Sequence, residues 1–309
     1  MKYLRAYPFW MQVLQFFLMV FVMISLCLAL FLFFIPKLYG MQFTDMMNLT
    51  SDSPIGQIRG SIVVQGISSM ATFLIPSLLF AYLSHPRPFS YVGMRQPSQP
   101  FHVVLAILLI LGAMPLLVQL QAWVGMINFG PSVKSAQQHN VDMMKAYLTM
   151  PTLPDFIRTF TVMAIIPAIG EELFFRGVSM RFVYKRSNSM LLAIIFSSAI
   201  FAFVHSNIYG LASILIAGGL LATIYYLTNS LWCSIAAHMC FNGMNVVLAY
   251  VAGNNTAVKN FVEMDSMPVW IILAGAAVFG GSLFALVKTK TPLPKSWGDD
   301  FEGEQVPEF

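Results

Sequence analysis

Charged side chains are what this chain has least of. Only 10% of its 309 residues are Asp, Glu, Lys or Arg, against about 25% in an ordinary soluble domain. So little charge cannot cover a water-facing surface. The hydrophobic content of 58% is instead gathered into long uncharged runs, the pattern of helices that use lipid as their solvent. Cysteine is scarce as well. Cys27, Cys233 and Cys240 lie inside apolar runs with no CxxC spacing, which excludes a disulfide scaffold and reads as small buried hydrophobes. No block of Lys and Arg is interleaved with aromatics, and the formal charge is a modest +4, so no nucleic-acid partner is expected. Internal repeats and inverted symmetry are also missing, which counts against a secondary transporter.

What is present is a series of apolar runs at about 10–36, 61–83, 101–126, 156–178, 190–207, 208–228, 230–251 and 269–288, each near the roughly 20 residues needed to cross hydrocarbon. The expected fold is therefore all-α, a polytopic transmembrane helical bundle of about eight spans embedded in membrane lipid. The stretches 37–60, 84–100 and 127–155 read as loops, the last with a short interfacial helix around 133–149. The tail after Lys290, with Pro292, Pro294 and five acidic residues, reads as disordered. Placing both termini in the cytoplasm puts ten basic residues inside (Lys2 and Arg181 among them) and six outside, so the positive-inside rule favours that orientation.

Eleven of the thirteen acidic residues fall in loops or the tail, leaving only Glu171 and Glu172 within a span, followed by Arg176. Of the five histidines, His205 and His238 sit well inside apolar runs, on the fifth and seventh spans. A charge at the bilayer centre costs at least about 2.5 kcal/mol, so such residues face a protein interior or a wet cavity and are functional candidates. Successive helix residues differ by about 100°, which leaves Glu172 and Arg176 about 40° apart but Glu171 and Arg176 about 140° apart. Glu172 can pair with Arg176; Glu171 is left without a local cation, as a general base requires. The competing reading is a buried Glu–Glu–Arg knot that only locks the bundle.

In an antiparallel hairpin turning near Arg186, Glu171 lies about 22 Å and His205 about 28 Å from the turn. They are nearly level and can share one water; Phe201, one turn before His205, reads as packing. His238 and Asn242 are spaced i, i+4 and share a face. Two such donors suit a developing oxyanion, although interhelical hydrogen bonding alone would also explain them. From a turn near Asn229, His238 is only about 13 Å deep, about 9 Å short of the Glu171 level, so a tilted or partly unwound span is required.

Three ordered motifs emerge: Glu171-Glu172-Leu-Phe-Phe-Arg176, Phe201-Ala-Phe-Val-His205 and His238-Met-Cys-Phe-Asn242. Together they resemble the EExxxR, FxxxH and HxxxN elements of the CPBP family, the CAAX-protease and bacteriocin-processing (Abi) intramembrane proteases. The resemblance covers about 154–250, with its core in spans four to seven, and divides the chain into 1–153, a catalytic core at 154–251 and a final part at 252–309. It implies an intramembrane endopeptidase acting on a membrane-associated peptide or protein, lipidated or not. In that scheme Glu171 and His205 activate water, His238 and Asn242 stabilise the oxyanion, and Glu172 and Arg176 orient Glu171.

Signatures of other intramembrane proteases are absent: no HExxH, GxGD or GxSG occurs. The family is often labelled metalloprotease, and a glutamate with two histidines could hold a divalent metal such as zinc with an open position. The metal-free reading is favoured, because catalytic zinc usually takes two ligands from one helix and these candidates come from three. The alternative function is a proton-coupled transporter or channel using the Glu and His residues as a relay. The expected location is an integral multi-pass membrane protein, in the inner membrane if the organism is bacterial.

Overall fold

The computed structural model describes residues 3–253, 255–262, 264, 266–299 and 301. It is a helical bundle, and no strand occurs among the described residues. The principal helices are α1 (Phe9–Tyr39), α2 (Ile55–Ser84), α3 (Phe101–Gly125), α4 (Pro131–Tyr147), α5 (Leu153–Ser187), α6 (Met190–Val204), α7 (Leu211–Thr228), α8 (Leu231–Ala252) and α9 (Val269–Lys288). Among the described residues, seven helices are long and apolar enough to span a membrane: α1, α2, α3, α5, α7, α8 and α9. Helix α4 falls where the sequence suggests one inside the 127–155 loop.

The expected fifth span, 190–207, is corrected to the 15-residue α6. That is about 22 Å of helix against about 30 Å of hydrocarbon. The chain still reverses on both sides of α6, through Asn188 in the left-handed region and then through the 205–210 segment. A helix this short falls below the length needed to cross, and irregular backbone follows it at 205–210. Asn207 of that segment does line a cavity.

Two spans are interrupted for a covalent reason. A π-helical turn occupies Met70–Leu74 in α2, and another occupies Thr161–Ile165 in α5. Pro76 and Pro167 follow closely. A proline lacks the N–H its helix needs and crowds the carbonyl four residues back, here Thr72 and Met163, at the centre of each π turn. The wider turn accommodates both. A third π segment, Leu173–Ser179, contains no proline.

The helices meet through an aromatic cluster and close backbone crossings. Phe16 of α1 lies 5.3 Å from Phe80 of α2 and 5.1 Å from Phe174 of α5, centroid to centroid; Phe175 lies 5.1 Å from Phe201 of α6. Helices α3 and α9 cross at Gly112 and Gly275, where a Cβ on Gly112 would come within 2.6 Å of the Phe279 backbone nitrogen, a small-residue contact suited to apposed membrane helices. At the N-terminal ends of two helices, Asp155 at the start of α5 accepts two hydrogen bonds from Arg59 of α2, at 2.8 and 2.9 Å, tying the two helix starts together. Large apolar side chains such as Leu14, Phe21 and Phe33 of α1 stay exposed, as expected of a lipid-facing surface.

The expectation of a disordered tail after Lys290 is also corrected in part. Residues 291–299 dock against the bundle: Thr291 N–H donates to Leu227 O at 2.8 Å, Leu293 N–H to Tyr226 O at 3.0 Å, and the Tyr184 hydroxyl to Lys295 O at 2.9 Å. The physical reason is a pair of apolar anchors, Leu293 and Trp297, both buried; Trp297 sits 5.6 Å from the ring of Tyr184 and 5.9 Å from that of Tyr225. Asp300 and 302–309, which carry most of the tail's acidic charge, lie outside the described residues, as does Lys2. Trp297→Ala is expected to cost about 3 kcal/mol through the lost aromatic packing. It should lower the thermal unfolding midpoint of the purified protein in detergent; an unchanged midpoint would show that the segment contributes no anchoring.

Candidate functional site

The two glutamates end the short α-helical stretch Ile166–Glu172, flanked by the π segments Thr161–Ile165 and Leu173–Ser179. Glu172 and Arg176 are fully buried. Their pairing, expected from i, i+4 spacing, is present: Arg176 Nη1 donates to Glu172 Oε1 at 2.6 Å. The second guanidinium nitrogen, Nη2, donates to the Gly218 carbonyl of α7 at 2.7 Å, and the guanidinium carbon lies 4.7 Å from the centre of the Phe201 ring. A buried ion pair is costly unless its other donors and acceptors are engaged; α7 supplies the Gly218 acceptor and α6 the Phe201 ring face, while Arg176 Nε is buried with no hydrogen-bond partner.

Glu172 does more than bind Arg176. Its Oε1 also meets His238 Nδ1 at 2.9 Å, and its Oε2 accepts from the Ser234 hydroxyl at 2.5 Å. A carboxylate already holding an arginine is an acceptor, so the network assigns the Nδ1 proton to His238 and leaves Nε2 as the free lone pair. That nitrogen faces the other glutamate: His238 Nε2 lies 3.8 Å from Glu171 Oε2. Glu171 Oε2 is buried and has no hydrogen-bond partner.

His205 caps the C-terminal end of α6, where its Nδ1 meets the Phe201 carbonyl at 2.7 Å. A carbonyl only accepts, so this ring also carries its proton on Nδ1 and offers Nε2. His205 is therefore both a helix-end histidine bound to a carbonyl and a group lining open space. Two cavities meet at its position. One of about 810 Å³, between α2, α4, α5 and α8, is lined by Glu171, His205 and Asn242 among others. The other, of about 230 Å³, is lined mainly by apolar side chains of α3 and α7, with His205, His238 and Asn242 on its wall.

All six motif residues are thus gathered in one region, with two differences from the sequence reading. Glu172 and Arg176 reach His238 and Gly218 and make no direct bond to Glu171, because Glu172 turns toward α8 while Glu171 turns toward the large cavity. The depth mismatch of His238 does not materialise: Glu171 and His238 are neighbours. The π segments account for part of this, since a turn closed by i to i+5 bonds advances less along the axis per residue than an α turn. Ser234 was missed, although it stands four residues before His238 as Asn242 stands four after it, and so shares their face. The Gly218 carbonyl had no sequence signal. Phe201, read as packing, does pack, and it does so against the Arg176 guanidinium and the His205 ring.

For a metal the fit is poor. Among the described residues no three His, Cys, Asp or Glu side chains are grouped so that they could hold an ion, and both Glu172 oxygens are already engaged by donors.

Residues 153–244 match the family model for type II CAAX prenyl endopeptidase Rce1-like proteins. The chain is also 29% identical, over 114 residues, to "Putative membrane peptidase YdiL" of Bacillus subtilis (strain 168), an alignment covering 37% of this chain and 44% of that protein. The chain thus spans less than half the length of the curated relative it matches. No solved structure matches. Neither match favours a transporter. The matched stretch contains all three motifs, which lie together in a membrane-type helical bundle, so over this stretch the chain is similar to type II CAAX prenyl endopeptidase Rce1-like proteins.

Proposed function

We propose that this protein is an intramembrane endopeptidase that hydrolyses a peptide bond of a membrane-associated or lipidated peptide or protein. The observation that carries the reading is one cavity of about 810 Å³ that brings together Glu171, whose Oε2 has no partner, with His205 and Asn242. In an otherwise apolar bundle this is a place where water, a base and an amide donor coexist.

A water held between Glu171 and His205 gives its proton to Glu171 while its oxygen attacks the scissile carbonyl. Asn242 Nδ2–H and a protonated His238 then donate to the oxyanion. Glu172, fixed by Arg176 and Ser234, holds His238 in place. The working core is 154–251. No step is routed through a metal, consistent with the poor grouping of ligands. The substrate reaches the site from the membrane, and the orientation with both termini in the cytoplasm, in the inner membrane of a bacterial host, remains part of this proposal.

Glu171→Ala, His205→Ala and His238→Ala are each expected to abolish cleavage while leaving the protein folded in the membrane. The test compares membrane peptides accumulating in cells with wild type and with Glu171→Ala, followed by cleavage assays on the purified proteins. Full proteolysis by purified Glu171→Ala would sink the mechanism. Loss of one oxyanion donor in Asn242→Ala should lower kcat by about 10²–10³ with little change in KM; a pure KM effect would assign Asn242 to substrate binding instead.

A further inference from the structure

The protons on the two histidines create a problem that the geometry also answers. Both rings are held at Nδ1, His238 by the Glu172 carboxylate and His205 by the Phe201 carbonyl. As neutral imidazoles both therefore present Nε2 as an acceptor. Neither can donate to an oxyanion or to a leaving nitrogen from that atom without gaining a proton. A source of that proton stands 3.8 Å away, at Glu171 Oε2, which has no other partner. Catalytic hydrogen bonds are commonly this long before substrate binds and tighten in the complex.

We infer that His238 is the proton carrier of the reaction: it receives through Nε2 the proton that Glu171 takes from water, and delivers it to the leaving nitrogen. The inference rests on the endopeptidase reading and deepens it. Water loses a proton to Glu171 as its oxygen bonds to the carbonyl carbon, and the C=O electron pair moves to the oxygen. The proton passes from Glu171 Oε2 to His238 Nε2, giving an imidazolium whose positive charge faces the Glu172 carboxylate. The carbonyl re-forms, the C–N bond breaks with its electron pair on nitrogen, and Nε2–H protonates that nitrogen. Glu171 and His238 return to their starting states, with one water consumed and one carboxyl and one amine product formed.

Ser234 becomes a positioning residue in this scheme. Its hydroxyl donates to Glu172 Oε2 while Arg176 and His238 share Oε1, so the three donors fix the carboxylate and hence the imidazole plane. The groups meeting His238 are Glu171, Glu172 and, through Glu172, Arg176 from α5, Ser234 on its own helix, and the Phe201 ring of α6 at 5.9 Å. The same arrangement is what an imidazolium intermediate needs: one carboxylate at Nδ1 to stabilise its charge and one proton donor at Nε2 to create it.

Two measurements on the full-length protein in lipid nanodiscs test this. The first needs no substrate. Nitrogen-15 NMR of histidine-labelled protein, with the His238 signal assigned by its loss in His238→Gln, should show the proton on Nδ1; a proton on Nε2 would overturn the inference. If His238→Gln does not fold, Ser234→Ala, which removes one hydroxyl, identifies the same signal by shifting it. The second measurement uses a peptide found by the comparison of wild type with Glu171→Ala, paired with its ester analogue, in which oxygen replaces the scissile N–H. Both substrates lose the His238 oxyanion donor, but an ester leaving group needs no proton, so His238→Gln should lower amide cleavage by about 10²–10⁴ more than it lowers ester cleavage. Ser234→Ala should show the same bias in smaller degree. Equal losses on both substrates would leave His238 as an oxyanion donor only, whereas full cleavage by Glu171→Ala would remove the endopeptidase mechanism itself.

Discussion

A carboxylate with zero exposure in the middle of an apolar bundle is the constraint around which the rest of this protein is arranged. Glu172 accepts from Arg176, Ser234 and His238, and each partner has its own anchor elsewhere. Arg176 reaches on to the Gly218 carbonyl, so α5, α7 and α8 are joined through one charged group. Leaving any member unpaired in so dry a place would cost about 3–5 kcal/mol. The network therefore specifies how these helices rotate against one another, which apolar packing alone leaves loosely defined. The Phe201 ring, 4.7 Å from the guanidinium, brings α6 into the same assembly.

That rotation divides the labour between two adjacent glutamates. Glu172 turns toward α8 and is saturated with donors; Glu171, one residue earlier, turns toward the large cavity and keeps one oxygen without a partner. A pair of identical side chains thus yields one carboxylate engaged by three donors and one whose Oε2 is left without a hydrogen-bond partner. The difference arises from neighbours supplied by other helices and not from any chemical difference between the residues.

Access follows from the shortness of α6. Because this helix stops at Val204, His205 and Asn207 lie on the wall of a cavity at its C-terminal end. The larger cavity is closed on one side by α4, whose Met143, Met144 and Tyr147 face it, while the smaller is lined mainly by apolar side chains. His205 and Asn242 belong to both. The polar side chains therefore stand between a roomy cavity and a tighter, more apolar one.

Much of this was legible in the residue string, for local reasons. A run of about 20 apolar residues declares a span whatever its neighbours are, and the i, i+4 spacing of Glu172 with Arg176 needs nothing but helix geometry. The same rule groups Ser234, His238 and Asn242 on one face, yet a serine in a membrane helix is too ordinary to stand out before its partner is visible. Length was misread for α6, because the apolar run at 190–207 continues past the point where the helix ends. The tail was misread because Pro292, Pro294 and the acidic residues outweighed two anchors, Leu293 and Trp297, whose binding surface comes from α5 and α7.

Composition and short-range spacing settled that this is a polytopic helical membrane protein and which few ionisable residues it buries, since both depend on the chain's own neighbours. Tertiary structure alone decided which oxygen meets which nitrogen. Glu172 and His238 are 66 residues apart, Glu172 and Ser234 are 62 apart, and no local rule sets the rotation and depth of one helix against another. Those are set by the satisfaction of buried charge, by the π turns that adjust helix pitch, and by the packing of the aromatic cluster.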